Sequence, residues 1–92
     1  MNLELRFFAT FREAVGQKTR HREYPEGTTV GEVLADLEAD YPDLEGNLLD
    51  DGEIREMLSI LKNGNDVAHV DGPETTLADG DTLSVFPPVA GG

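Results

Sequence analysis

Apolar and polar residues alternate from the first strand-like stretch of the chain. In NLELRF, Leu3, Leu5 and Phe7 fall on one face, and Asn2, Glu4 and Arg6 fall on the other. This period of two predicts a β-strand with one face buried. Phe8 breaks the rule by placing an aromatic ring on the polar face. TFREAVGQ reads as a turn, and KTRHREY, residues 18–24, reads as an antiparallel partner at the sheet edge. After PEGTT the period changes. Val30, Val33, Leu34, Leu37 and Tyr41 recur at helical spacing, and Thr29 with Glu32 has the spacing of a capping box. Pro42 disfavours helical geometry at Tyr41 and marks the stop. Glu32, Asp36 and Asp40 form an acidic column on the opposite side, a repulsion that high ionic strength relieves.

Residues 43–57 carry no clear period. Asp50-Asp51-Gly52 reads as a turn, with Ile54, Met57 and Leu58 covering a core edge. The segment lacks the regular Asp-x-Asp-x-Asp-Gly spacing of a calcium loop. LSILKNGNDVAHV reads as a hairpin about Asn63-Gly64, a dipeptide suited to positive φ. Leu58, Ile60 and Lys62 share one face there, and Leu61 lies opposite. LADGD supplies a further turn before the last strand, TLSVF. In that strand Leu83 and Val85 point one way, and Ser84 and Phe86 the other. Pro87 and Pro88 then end the ladder, because neither has an amide hydrogen to donate. The order strand, strand, helix, strand, short strand, strand predicts an α+β roll: a mixed sheet of four to five strands packed on one main helix.

Composition narrows the function. Ninety-two residues make one domain, and the absence of cysteine excludes disulfides, thiol nucleophiles and thiolate metal sites. Seven basic residues against 19 acidic ones give a net charge of −12, the wrong sign for nucleic acid or an anionic membrane surface. With only Lys18 and Lys62 as lysines, the balance suits a salt-rich, halophilic interior. No secretory h-region or membrane-spanning run is present, so a cytoplasmic protein is expected. His21 and His69 have no ligand cluster around them, and Ser59 and Ser84 have no base at catalytic spacing. No metal site and no catalytic constellation is expected.

The remaining signal is the ending, FPPVAGG. LRFFATFREAVG, TTVGEVLADLEADYP and TLADGDTLSVFPPVAGG together resemble the β-grasp sulfur carriers and ubiquitin-like modifiers. Within that group the resemblance runs to the small subunit of molybdopterin synthase and to the small archaeal modifier proteins. Carriers of the thiazole pathway are generally shorter and lack Phe-Pro-Pro. The resemblance implies a β-grasp domain over residues 1–86 and a flexible tail over 87–92. It implies no enzyme of its own, but a carrier whose Gly92 carboxylate is adenylated by an E1-like enzyme using ATP and magnesium. The acyl-adenylate then becomes a thiocarboxylate for molybdenum cofactor biosynthesis, or an isopeptide bond to a lysine of a target protein. The implied partners are therefore the activating enzyme, the large subunit of molybdopterin synthase and target lysines. Gly91 and Gly92, lacking a Cβ, suit a narrow catalytic channel, and Pro87 and Pro88 pre-extend the approach to it. Phe8, Leu61 and Phe86, all facing away from the helix, are expected to form a partner-binding patch, since the first, third and last strands adjoin in this fold. Lys18 and Lys62 are candidate acceptor lysines. The alternative is a β-grasp binding module with an inert tail.

Overall fold

A computed structural model describes residues 1–88. Its strands β1 (Asn2–Phe7), β2 (Thr19–Glu23), β5 (Ser59–Lys62), β6 (Asn65–Asp66) and β7 (Thr82–Phe86) form one sheet in the order β2-β1-β7-β5-β6. β1 and β7 run parallel, and the other neighbours are antiparallel. The sheet is therefore mixed, and it closes as an α+β β-grasp roll on helix α2 (Val30–Asp40). A separate two-stranded hairpin, β3 (Leu49–Asp50) and β4 (Glu53–Ile54), turns at Asp51-Gly52.

The alternation in β1 resolves as expected. Leu3, Leu5 and Phe7 are buried with Leu83, Val85 and Ile60, and they meet Val30, Val33, Leu34 and Leu37 of α2. Full burial of each such side chain contributes about 1.5–3 kcal/mol, so this inner face dominates the stability of the fold. Helix α2 starts where the capping box places it: the Glu32 amide donates to the Thr29 hydroxyl, and the Thr29 amide donates to the Glu32 carboxylate. It ends at Tyr41, and Pro42 opens a 3-10 turn.

Two expectations are corrected. ATFREAV is not a turn but a short helix, α1 (Ala9–Val15). Phe11 is buried, Ala14 and Val15 pack on the core beside it, and this i, i+3, i+4 spacing is the apolar face of a helix. Gly16 closes the helix at φ +87°, its amide donating to the Arg12 carbonyl at 2.8 Å, a geometry that costs glycine little. Met57 does not cover the core edge. The residue is 70% exposed, because the turn joining Arg55 to Leu58 directs it outward while Ile54 and Leu58 pack inward.

Polar contacts lock the loops to this frame. The Glu38 carboxylate accepts from the amides of Leu48 and Leu49 at 2.8 and 2.7 Å, tying the irregular segment to α2. Buried Asp81 accepts from the Asn63 side chain and the Ala78 amide, while the Asn63 side-chain oxygen accepts from the Thr82 amide. Asn63-Gly64, both at positive φ, is thereby fastened to the first residue of β7.

Candidate functional site

The site is built from the exit of the last strand. β7 lies inside the sheet, paired along both edges, with Leu83 and Val85 fully buried. The parallel register sets Phe7 opposite Val85, and the next step along both strands brings Phe8 beside Phe86. Their rings stack with centroids 4.1 Å apart and planes 9° from parallel. Such a pair contributes about 0.5–1.5 kcal/mol beyond the area it buries. Phe8 is the extended residue before α1, and Ala9 after it sits at φ +52°. That left-handed turn sends the chain into α1 and leaves the Phe8 ring on the outer face.

Leu61 is half-buried on the same outer face. It pairs with Ser84, while Ser59 pairs with Phe86, which makes Leu61 a diagonal neighbour of the Phe86 ring. Phe8 and Phe86 are thus in contact, and Leu61 stands one step away. The far part of this face is polar: Glu4 pairs with Arg6 at 3.2 Å and with His21 at 3.3 Å. The outer face is therefore aromatic where β7 ends and charged elsewhere. Pro87 and Pro88 follow directly, half-buried and exposed. Gly91 and Gly92 lie outside the described residues.

On the other side of the tail root, α1, the segment 43–58 and the two prolines enclose an open cleft of about 850 Å³. No periodic pattern along the chain foreshadows it, because its walls come from three separated segments.

The two lysines differ. Lys18 is exposed in the turn between α1 and β2. Lys62 is engaged: its amine donates to the Thr76 carbonyl at 3.1 Å and lies 3.8 Å from Asp81. His21 is exposed beside Glu4, and His69 is exposed at the end of a 3-10 turn. Among the described residues, no group of three His, Cys, Asp or Glu side chains is placed to hold a metal ion, and no helix is long and apolar enough to cross a membrane.

One polar network stands apart, where β2 meets α2. Arg22 donates to Asp36 at 3.1 Å, to Asp40, and to the Tyr41 hydroxyl at 3.1 Å, and its guanidinium lies 5.4 Å from the Tyr41 ring centroid. Burial works against the Arg22 charge, and the bonds to Asp40 and Tyr41 outweigh it, leaving the group more firmly protonated than usual. Burial, then the 2.8 Å hydrogen bond that Tyr24 donates to Asp36, raises the Tyr24 phenol well above its ordinary value. This network joins the edge strand to the acidic column of the helix.

A model of the ThiS family matches residues 5–92, nearly the whole chain. The chain belongs to the ThiS family. It is 58% identical over 92 residues to small archaeal modifier protein 3 of Haloferax volcanii, with all of both chains covered. It is 39% identical over 69 residues to the sulfur carrier protein CysO of Mycobacterium tuberculosis, covering 72% of this chain and 74% of that one. A solution structure of a Haloferax volcanii protein, 58% identical, superposes with a TM-score of 0.93 over all of this chain and 87% of that one. Modifiers and sulfur carriers thus share this ThiS-family architecture, and the present chain is a small ubiquitin-like carrier/modifier protein.

Proposed function

We propose that the working group of this ThiS-family chain is the Gly92 carboxylate, activated and spent by other proteins. An E1-like enzyme joins it to AMP using ATP and magnesium, with pyrophosphate leaving. The mixed anhydride gives the carboxylate carbon a good leaving group, so two nucleophiles can displace AMP. A sulfur donor yields a thiocarboxylate, which serves molybdenum cofactor biosynthesis once the tail enters the large subunit of molybdopterin synthase. A target lysine yields an isopeptide bond. The setting is a cytoplasm rich in salt, where a net charge of −12 is screened over a few ångströms. Exposed Lys18 is the freer of the two candidate acceptors on the chain itself, since the Lys62 amine is held by Thr76.

The observation that supports this reading is the stacked Phe8–Phe86 pair at the point where Pro87 and Pro88 end the last strand. An apolar patch beside the reactive end lets a partner seat the body while its catalytic groove takes the tail. Incubation with the adenylating enzyme of the same cells, ATP and magnesium is expected to give pyrophosphate exchange. Deleting Gly91 and Gly92 should abolish that exchange and leave the unfolding temperature within about 4 °C of the parent, the shift that a change of about 0.5 kcal/mol gives in a domain of this size. Exchange that survives the deletion would refute the proposal.

A further inference from the structure

We propose that the cleft between α1, the 43–58 segment and the tail root is a second docking site, which receives a basic segment of the activating enzyme with an apolar side chain at its centre. This inference rests on the reading of Gly92 as the activated group. The cleft has an apolar floor, with Phe11, Ile54 and Leu58 packed on the core beneath it. At its rim stands Met57, one of two large apolar side chains exposed among the described residues. Methionine is adaptable and polarizable, and it suits a surface that must mould itself to another chain.

The charge around that floor selects the occupant. Asp43, Asp50, Glu53 and Glu56 line the cleft with Arg55 as the sole cation, a local excess of three negative charges. None of the four carboxylates has an ion-pair partner among the described residues, in contrast to Glu4, Asp36, Asp40 and Asp81. A second copy of the chain brings a charge of −12 to the same rim and is repelled. A segment carrying lysine or arginine around one apolar residue matches both rim and floor.

Position names the protein that supplies the segment. Pro87 and Pro88 form one wall of the cleft, so whatever fills it also touches the root of the tail. The Phe8–Phe86 stack lies at the same end of the sheet. A protein holding both would grip the tail root from two sides and fix the direction in which the chain leaves the body.

The test is calorimetric titration of the full chain into its adenylating enzyme, with pyrophosphate exchange measured on the same samples. Asp50→Asn, Glu53→Gln and Glu56→Gln are combined in one variant, and Met57→Ser makes a second. All four positions are exposed, so both variants keep the fold. The triple variant is expected to bind about tenfold more weakly at 0.1 M salt and to converge on the wild type above about 1 M, where screening shortens to about 3 Å. Met57→Ser is expected to weaken binding about fivefold to tenfold at both salt concentrations, since burial of an apolar side chain is not screened. If both variants bind like the wild type while Phe8→Asp does not, the cleft proposal is overturned and the Gly92 reading stands. If the wild type gives no exchange, the Gly92 reading fails and takes the cleft's occupant with it. Self-association of the free chain that Met57→Ser abolishes would instead put a second copy in the cleft, against the proposal.

Discussion

Replacing Arg22 with glutamine should destabilise the fold in a way that salt erases. The side chain is 18% exposed, whereas its partners Asp36 and Asp40 are 48% and 54% exposed. Half-exposed carboxylates place each ion pair near the surface regime, about 0.5–1 kcal/mol apiece. Loss of the guanidinium from the Tyr41 ring removes about 0.5 kcal/mol more. Without the cation, Glu32, Asp36 and Asp40 repel along the helix by about 0.2–0.5 kcal/mol per neighbouring pair. The total is about 2–3.5 kcal/mol at 0.1 M salt, or about 8–28 °C in the unfolding temperature of a domain of this size. At 2 M potassium chloride the Debye length is below about 3 Å, and the deficit should shrink to under about 1 kcal/mol, the remainder being packing on Tyr41. Thermal unfolding followed by circular dichroism at the two salt concentrations measures both values. A double-mutant cycle with Asp40→Asn isolates the pair from the column. A deficit of equal size at both concentrations would refute the electrostatic account, and so would no deficit at low salt.

The raised Tyr24 phenol predicts a second, alkaline effect. Its neutral form is favoured in the folded chain, so its contribution is intact below about pH 10, the unfolded value, and is lost as pH rises above that. Denaturant unfolding from pH 8 to 11.5 should show a decline above pH 10 that Tyr24→Phe flattens. At Ala9, held at φ +52°, Ala9→Gly should raise stability by about 0.5–1 kcal/mol and Ala9→Val should lower it by more than about 1 kcal/mol, read from denaturation midpoints.

Where one face of an element is buried over its full length, the chain announces itself. Leu3, Leu5 and Phe7 in β1, and Leu83 and Val85 in β7, had no alternative register, because a one-residue slip would expose every one of them. Helix α2 was legible for a local reason: its stripe and its capping box agree on where it begins. Helix α1 was missed because seven residues offer only Phe11, Ala14 and Val15 as a pattern, and its entry through a left-handed Ala9 has no residue signature. The two-residue strands β3 and β4 are too short for alternation to register. Met57 was misread for a related reason: a turn, not a period, decides where it points. The same division runs through the candidate site. Phe8 and Phe86 stood out as aromatic residues on polar faces, whereas the cleft is assembled by tertiary contact and had no footprint in any single stretch.

The outer patch and the core are consequently one mechanical unit. Phe86 alternates with Val85 and Leu83, so the packing that buries the inner pair also fixes the angle at which Phe86 meets Phe8 and at which Pro87 leaves the sheet. β7 has hydrogen-bonded neighbours on both sides, and Asp81 with Asn63 pins its first residue, so the strand cannot slide to accommodate a partner. A partner must take the tail root as presented. Under the proposed function, two properties depend on this frame: the stability of the body and the angle of the tail root. A substitution that loosens Val85 acts on both, because it moves the platform from which the tail departs. Stability of the body and presentation of the tail root are therefore set by the same buried side chains.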